Sequence, residues 1–236
     1  MREEIRRLQP DLLFLQEVHG EHQGHRKKIK DYPTASQFEF LAEEMWPHFR
    51  YGKNAVYTEG HHGNAVLSKF PIIACENINI SQNRFEQRGI LHVTLELPAT
   101  LEPPNELVEK DIGAPRIIHA LCAHLGLFER DRKRQLEQLA LRVATHIPSH
   151  EAIIAAGDFN DWRKTVTIPL ERGLQLEEAF MHTHGRHAKT FPSWFPILCL
   201  DRVYFRGFRV REARRLDATT WTHLSDHLAL WVELDF

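Results

Sequence analysis

The chain has few cysteines and no long apolar run. Its three cysteines, Cys75, Cys122 and Cys199, lie far apart and form no C-x-x-C pair. We therefore interpret them as buried thiols in a reducing compartment and exclude a disulfide framework or a cysteine zinc site. No apolar run is long enough to span a bilayer, and residues 1–7 lack the apolar centre of a signal peptide. These absences favour a cytoplasmic protein.

The chain also lacks a strong charge of either sign. A net charge of -2 argues against a nucleic-acid binder that works through bulk positive charge, although it is compatible with a local basic cleft. The rest of the composition is ordinary, with 42% hydrophobic and 26% charged residues. A chain of 236 residues can bury a substantial core and is near the upper size of one domain. No internal repeat divides it, so we predict a single domain over residues 1–236.

One stretch, residues 152–162, organises the rest of the chain. The apolar run Ala152–Ala156 has the pattern of a fully buried strand, and Gly157 then gives the backbone freedom to turn. Alternate side chains of an extended segment share a face, so Asp158 and Asn160 can point at one spot. A carboxylate and an amide that converge there are suited to water activation and phosphate contact. The alternative is an Asx turn that only ends the strand.

Other predicted strands also carry polar side chains at their ends. A carboxylate that ends an apolar strand is costly unless it meets a partner or a metal. Each such residue on its own is equally well explained as a solvated or structural strand end. The residues are Glu17 after strand 11–18, His124 after strand 116–124, Asp201 in strand 200–205, and Asp226 with His227 before the last strand.

The remaining pattern alternates short strands with amphipathic helices. A capping box at Ser36 predicts the start of one helix, and apolar spacing predicts another over residues 130–147. Residues 19–35 and 98–115 read as polar loops. The strands predicted between the two helices, apart from strand 116–124, are 49–57, 64–68, 72–80 and 88–97.

Two histidine-rich stretches invite a metal interpretation. His61 and His62 lie between glycines in a predicted loop, and residues 182–187 contain three histidines. No suitably spaced Cys or further His accompanies the first pair, and the polar context of the second stretch favours a surface loop. We predict a zinc site at neither.

Together these residues resemble the endonuclease/exonuclease/phosphatase superfamily, the fold of pancreatic deoxyribonuclease, abasic-site endonucleases, neutral sphingomyelinases and inositol-phosphate phosphatases. The resemblance covers nearly the whole chain and is strongest to small bacterial members with no settled substrate. It implies a four-layered α/β sandwich, in which two β-sheets pack face to face with helices outside and the active site lies at one rim. The motifs, in order, are Leu15-Gln16-Glu17-Val18, Gly63-Asn64-Ala65-Val66-Leu67-Ser68, His124-Leu125-Gly126, Gly157-Asp158-Phe159-Asn160, Leu200-Asp201-Arg202-Val203 and Ser225-Asp226-His227.

The resemblance implies a catalytic role for five of these residues. Asp158 is expected to orient or deprotonate the attacking water, and Asn160 to fix that water or the phosphate. His227 is expected beside the phosphate as general base or phosphate ligand, with Asp201 holding its second nitrogen. His124 is expected to donate to a phosphoryl oxygen. The division of acid and base work between Asp158 and His227 stays open.

The resemblance also implies a divalent metal. Glu17 is expected to hold Mg²⁺, with Mn²⁺ as the alternative, and Asp226 to complete its surroundings, because this hard cation favours one or two carboxylates and phosphate oxygens. In the resembling family a strand that ends in a metal-binding Asn precedes the first helix, and no such strand is present here before Glu17. We therefore expect weak Mg²⁺ binding and an unpaired strand edge through which the chain can self-associate.

The substrate is predicted only as a phosphate ester. Nucleic acid would suit the arginines of residues 130–134 and 206–215, with Trp194 and Phe195 as stacking surfaces. A phospholipid head group would suit the same aromatic residues at a membrane surface, and a small phosphorylated metabolite is a third alternative. A binding or scaffold protein that keeps the fold without turnover is the rival to an enzyme. The residues expected to touch substrate are Asn64, Arg88 and Trp194.

Overall fold

A computed structural model describes residues 1–22, 35–98, 116–163, 170, 173–217 and 219–236. Most of the predicted loop 98–115, and residues 23–34 of the predicted loop 19–35, lie outside the described residues. The described helices are Arg2–Leu8, Gln37–Ala42, Glu129–His146, Ala179–His184 and Thr219–Thr222. The described strands are β1 (Leu12–His22), β2 (His48–Tyr57), β3 (Gly60–Ser68), β4 (Ile72–Asn79), β5 (Gly89–Leu97), β6 (Arg116–His124), β7 (Ala152–Asp158), β8 (Glu177–Glu178), β9 (Asp201–Arg206), β10 (Arg209–Arg215) and β11 (Leu230–Asp235).

The strands form one large sheet and two smaller ones. The large sheet has the strand order β4-β5-β6-β7-β9-β8, the second has the order β1-β3-β2, and the third pairs β10 with β11. Strands β6 and β7 are parallel to each other, and the other named pairs are antiparallel. Every residue of β7 is buried, as its unbroken apolar run predicts for a central strand.

Three apolar clusters stack the elements into four layers. Between the sheets, residues such as Leu91 and Ala120 of the large sheet pack with Val66 of β3 and Phe14 of β1. On the outer face of the large sheet, Leu139 and its neighbours bury one side of helix Glu129–His146. On the other outside, helices Arg2–Leu8 and Gln37–Ala42 cover β1 and β3. The predicted four-layered α/β sandwich is confirmed.

The layer opposite the large sheet is divided into two parts. Within the described residues β1 pairs only with β3, and β11 pairs only with β10, so each has one edge without a strand partner. Phe14 of β1 and Leu234 of β11 nevertheless contact the same apolar cluster. Where two packed sheets were predicted, one of them is therefore present as a three-stranded and a two-stranded piece.

Four local predictions were wrong. Strand β1 continues to His22, beyond its predicted end at residue 18, and Gly60–Gly63 begins β3 where a loop was predicted. Cys75 is exposed rather than buried, because edge strand β4 leaves most of its residues in solvent; Cys122 and Cys199 are buried as predicted. Part of the predicted surface loop 182–187 belongs to helix Ala179–His184. No helix in the described part of the chain is long and apolar enough to cross a membrane.

Candidate active site

The register of three neighbouring strands brings the central polar residues together. Parallel strands β6 and β7 end side by side, with His124 opposite Asp158. Antiparallel strand β9 begins at the same edge, with Asp201 opposite Asp158. Residues far apart in the sequence thus meet at one rim of the large sheet.

The turn after β7 depends on the two residues that flank Asp158 and Phe159. Gly157 has a φ of 144°, and a Cβ built there would lie 2.0 Å from the carbonyl oxygen of Ala123, so only glycine allows β6 and β7 to approach this closely. Asn160 has a left-handed φ of 49°. Its backbone N–H donates to Asp158 Oδ1 at 2.8 Å and its Nδ2 to Asp158 Oδ2 at 3.0 Å. Asp158 and Asn160 therefore form an Asx turn, and the same two hydrogen bonds fix the Asp158 carboxylate.

His227 is held by Asp201. Its Nδ1–H donates to Asp201 Oδ2 at 2.8 Å, and the ring of Phe191 packs with its centroid 5.0 Å from the imidazole centroid. Burial by itself would lower the pKa of His227, but the hydrogen bond and charge of Asp201, together with the charges of Asp158 and Asp226, raise that pKa to about 9. His227 is therefore a cation at neutral pH, with Nε2 left for another partner.

The pKa of Asp158 is also raised, but here burial is the main cause. Burial, and then the negative charge of Asp201, raise the pKa of Asp158 to about 7, against the lowering effects of His227, Asn160 and Arg88. A carboxyl group with this pKa exists in both protonation states near neutral pH. It is thus able to accept a proton and release it again.

His124 lies at the back of the site. It is buried, and its Nε2 lies 3.6 Å from Asp158 Oδ2. Burial, followed by the positive charges of Arg88 and the other histidines, holds the pKa of His124 well below its usual value. It is therefore a neutral imidazole that can offer one N–H.

Arg88 supplies the fixed positive charge of the site. Its Nε donates to the carbonyl of Leu125 at 3.2 Å, and its guanidinium forms a largely buried ion pair with Glu86 at 3.2 Å. The same carbonyl of Leu125 also accepts from Asn160 Nδ2 at 2.9 Å, so Arg88 lies next to the turn that carries Asp158 and Asn160. Its charge contributes to lowering the pKa values of His124 and Asp158.

Glu17 approaches the site from the other sheet. It lies in a bulge of β1 between Leu15 and Val18, with a left-handed φ of 55°, and not at the end of its strand as predicted. Its exposed carboxylate makes no hydrogen bond to any residue that the structure describes. Gln16, the residue before Glu17, donates from Nε2 to Cys122 Sγ of β6 at 3.2 Å, which brings this part of β1 against the large sheet near His124. Burial lowers the pKa of His62 and the charge of Glu17 opposes that shift, while the charge of His62 is one of the smaller causes that lower the pKa of His124.

His62 is therefore a neighbour of the site that the sequence analysis did not assign. The glycines that flank His61 and His62 were a usable signal, because they indicated a close approach of the backbone. A Cβ at Gly63 would lie 1.8 Å from the carbonyl oxygen of Gly52. The strands β2 and β3 thereby approach closely, and on its other side β3 pairs His62 with His19 of β1, two residues from Glu17.

The remaining predicted residues occupy different places. Asn64 is fully buried, and its Nδ2 donates to the carbonyls of Gly89 at 2.8 Å and Cys122 at 3.0 Å, so it links β3 to the large sheet and its amide nitrogen is not available to substrate. Asp226 is exposed next to His227, and its carbonyl accepts from the N–H of Ser193 at 2.7 Å. Trp194 follows Ser193 and is 78% exposed.

Three arginines of residues 206–215 are held by other groups of the protein. Arg206 donates to the carbonyls of Pro148 and Glu151, at the start of β7, whereas the site lies at the end of that strand. Arg211 and Arg215 are paired with Asp235 and Asp217, both at 2.7 Å. Arg206 therefore lies at the opposite end of β7 from the site, and the expectation that the run suits a nucleic-acid substrate stays a prediction.

The donors present fit a loosely held hard cation. No three His, Cys, Asp or Glu side chains of the described residues group as ligands of one metal ion. Mg²⁺ needs no such cage, because it is commonly bound through one or two carboxylates, water and substrate phosphate. Glu17 and Asp226 are exposed carboxylates of the kind that such a site uses, and that of Glu17 makes no hydrogen bond within the described part of the chain.

This arrangement agrees with the comparisons to known proteins. The sequence profile of the endonuclease/exonuclease/phosphatase family matches residues 1–227. The chain belongs to this family. Its members are hydrolases, among them nucleases and phosphatases, and they generally use divalent metal ions.

Three known proteins illustrate what this chain is similar to. The uncharacterized protein YbhP of Escherichia coli (strain K12) is 42% identical over 234 residues, which are 99% of this chain and 87% of YbhP. The mannosyl-6-phosphatase Bt3783 of Bacteroides thetaiotaomicron VPI-5482 has a TM-score of 0.66 at 17% identity, over 100% of this chain and 89% of Bt3783. D. rerio TDP2, solved with a single-strand DNA product, has a TM-score of 0.66 at 14% identity, over 99% of this chain and 89% of TDP2. At these identities the two solved structures show a common fold only.

Proposed function

We propose that this chain is a metal-dependent hydrolase that cleaves a phosphodiester or a phosphomonoester at the Asp158–His227 site. The observation that carries the proposal is the pairing of Asp201 with His227 at 2.8 Å, directly beside the buried Asp158. One cationic and one proton-accepting group at the same rim are what a phosphate ester and an attacking water require.

In this proposal the residues divide the work by their charge. Asp158 accepts a proton from the attacking water, and Asn160 fixes the carboxylate that does so. The His227 cation contacts a phosphoryl oxygen through Nε2, and the neutral His124 donates to another. Arg88 offsets the negative charge that the substrate brings into the site.

Glu17 and Asp226 would hold Mg²⁺ or Mn²⁺, which when bound neutralises phosphate charge and stabilises the leaving oxygen. The proposal covers more than one class of phosphate ester. The two similar solved structures differ in the compound that their names give, since one is named for a sugar phosphate and the other is bound to DNA. A panel of labelled DNA, RNA, lipid and inositol phosphates tests the class.

The reaction is tested with a chromogenic phosphodiester and a chromogenic phosphomonoester, each with Mg²⁺, with Mn²⁺ and with EDTA. We expect product release that needs the metal, and a loss of roughly 10²–10⁴-fold in turnover for Asp158→Asn. Asp235→Asn is the matched control, because Asp235 is a strand-end aspartate in β11 that pairs with Arg211 away from the site. Turnover of Asp158→Asn at the rate of Asp235→Asn would contradict the proposal.

A further inference from the structure

Exposed apolar side chains are concentrated around the candidate site. Nine of the fifteen large hydrophobic residues that the described chain exposes lie near site residues, on loops or at the end of β2. We call this set the apolar rim. It comprises Val56–Tyr57, Phe85, Leu127–Phe128, Trp162 and the exposed residues of 194–197.

Hydrogen bonds and an ion pair join most of the rim into one surface. The N–H of Val56 donates to the side chain of Gln87 at 2.9 Å, which ties the β2–β3 hairpin to the loop of Phe85. The N–H of Leu127 donates to Glu86 Oε1, also at 2.9 Å. Arg163, next to Trp162, pairs with Glu129 at 2.7 Å. The segments therefore adjoin one another around the side of the site that carries Arg88 and His124.

The segment 194–197 borders the opposite side of the site. It follows Phe191, whose ring packs on His227, and Ser193, whose N–H donates to the carbonyl of Asp226. Trp194 is 78% exposed, and its ring lies 6.1 Å from that of Phe195. The rim thus flanks the catalytic residues on both sides.

Positive charge accompanies the rim. The guanidinium of Arg84 lies over the ring of Phe85 at 4.8 Å, and that of Arg163 over Trp162 at 4.5 Å. Arg130, Lys133 and Arg134 are exposed on the first turns of the helix that follows Phe128. Apolar side chains next to Lys and Arg are the combination that inserts into the interface of an anionic bilayer.

The chemistry of the rim favours a lipid surface over single-stranded nucleic acid. Binding of a single strand relies on aromatic rings that stack on bases and on a continuous basic groove. Val56, Leu127 and Ile197 are exposed aliphatic residues that cannot stack, and Arg206, Arg211 and Arg215 of the run 206–215 are already held by carbonyls or carboxylates of the protein.

We propose that the apolar rim docks this chain onto the surface of an anionic phospholipid membrane, so that the site faces phosphate esters at the bilayer interface. The choice of substrate rests on the hydrolase function proposed above. The docking itself does not, because vesicle binding needs neither turnover nor metal.

The test is co-sedimentation with vesicles of phosphatidylcholine alone and of phosphatidylcholine mixed with phosphatidylglycerol. We expect binding that is tighter to the anionic vesicles and weakens with added salt. The variant L127S/F128S should bind these vesicles roughly tenfold or more weakly, because it removes two inserted apolar side chains. The variant I73S/L141S removes two equally exposed apolar residues elsewhere and should bind like the parent chain. Melting temperatures confirm that both variants are folded.

Several results would overturn the docking proposal. They are equal vesicle binding by L127S/F128S and I73S/L141S, no preference for phosphatidylglycerol, or tighter binding of single-stranded DNA than of the anionic vesicles. Turnover of the soluble chromogenic esters by the parent chain separates the two proposals. Turnover without vesicle binding contradicts the docking alone, and vesicle binding without any turnover contradicts the hydrolase function alone.

Discussion

At the scale of single residues, the site is a set of charges that set one another's protonation. Asp201 contacts His227 directly and faces Asp158 across two paired strands. The same carboxylate therefore contributes to two raised pKa values. It is the main group that raises the pKa of His227 to about 9, and after burial it is the next cause that raises the pKa of Asp158 to about 7. In the proposed function Asp201 is therefore a positioning residue, which acts on the substrate through His227 and Asp158.

This coupling predicts the effect of Asp201→Asn. Removal of the Asp201 charge should lower the pKa of His227 from about 9 towards or below its usual value, since burial is then opposed only by weaker charges. The pKa of Asp158 should fall in the same direction. NMR titration of the imidazole measures the first of these changes.

Asp226→Asn is the matched control for this experiment. Asp226 contributes to the raised pKa of His227 less than Asp201 or Asp158 does, so its removal should produce a clearly smaller decrease. Equal decreases in the two variants would show that the hydrogen bond between Asp201 and His227 is not what sets the titration.

A second cluster of titratable residues lies outside the site. Arg142 Nε donates to His92 Nδ1 at 2.9 Å, His92 Nε2 contacts His119 Nδ1 at 2.9 Å, and His119 Nε2 contacts Glu151 at 2.5 Å. Because the arginine can only donate, His92 must accept at Nδ1 and donate from Nε2, and His119 then donates to the carboxylate. Burial, and then the charges of Arg142 and His119, lower the pKa of His92 to about 3.

His92 should therefore make the protein less stable in acid. The unfolded chain binds a proton as the pH falls through 6.5, whereas folded His92 stays neutral down to about pH 3. The free energy of unfolding should fall with pH across this window, by up to about 1.4 kcal/mol per pH unit from this group. Denaturant unfolding of His92→Gln between pH 7 and pH 4 should show a shallower decline, and the exposed-site control His150→Gln should not. Parallel curves for all three chains would refute this assignment.

At the scale of elements, the local sequence pattern predicted some parts of the site, and the pairing of distant strands determines the others. The apolar run of β7 and the polar residues at its end were readable from local sequence. The pairing of Asp201 with Asp158 depends on β9 lying next to β7, which is a long-range contact that no local pattern encodes. The position of Glu17 inside β1 was missed because a bulge allows the strand to continue past a left-handed residue. His62 was missed because its role depends on how closely β2 and β3 approach.

Substitution of Gly157 tests the close contact between β6 and β7. A methyl group there would meet the backbone of Ala123 at 2.0 Å, and the φ of 144° is unfavourable for any residue with a Cβ. We expect Gly157→Ala to lower the free energy of unfolding by roughly 2–4 kcal/mol and to reduce turnover, because it separates His124 from Asp158.

Gly173→Ala provides the comparison for that variant. A Cβ at Gly173 meets no atom within 4 Å, so the substitution should change stability little. Chemical denaturation and turnover of the two variants are measured side by side. If Gly157→Ala were as stable and as active as Gly173→Ala, the argument from strand spacing would fail.

At the scale of the whole molecule, the site exists because two separate layers meet at one rim. The large sheet contributes His124, Asp158 and Asp201, and the opposite layer contributes Glu17 and His62. The four-layered sandwich followed from the family resemblance, but the division of the second layer into two pieces did not. Polar contacts between the layers therefore matter for the site as much as those within a sheet.

Asn64 makes a polar contact between the layers, and its substitution tests this dependence. From β3 it donates to a carbonyl of β5 and a carbonyl of β6, within a fully buried position. Asn64→Ala leaves both carbonyls without this donor, which should lower the free energy of unfolding by about 2–4 kcal/mol. Asn77→Ala removes a similar amide-to-carbonyl bond, to Lys53 at 3.0 Å, at an exposed position and should cost much less. Because Asn64 does not face substrate, KM for a soluble ester should stay unchanged at temperatures where the variant is folded. An increase in KM without a loss of stability would instead place Asn64 at the substrate.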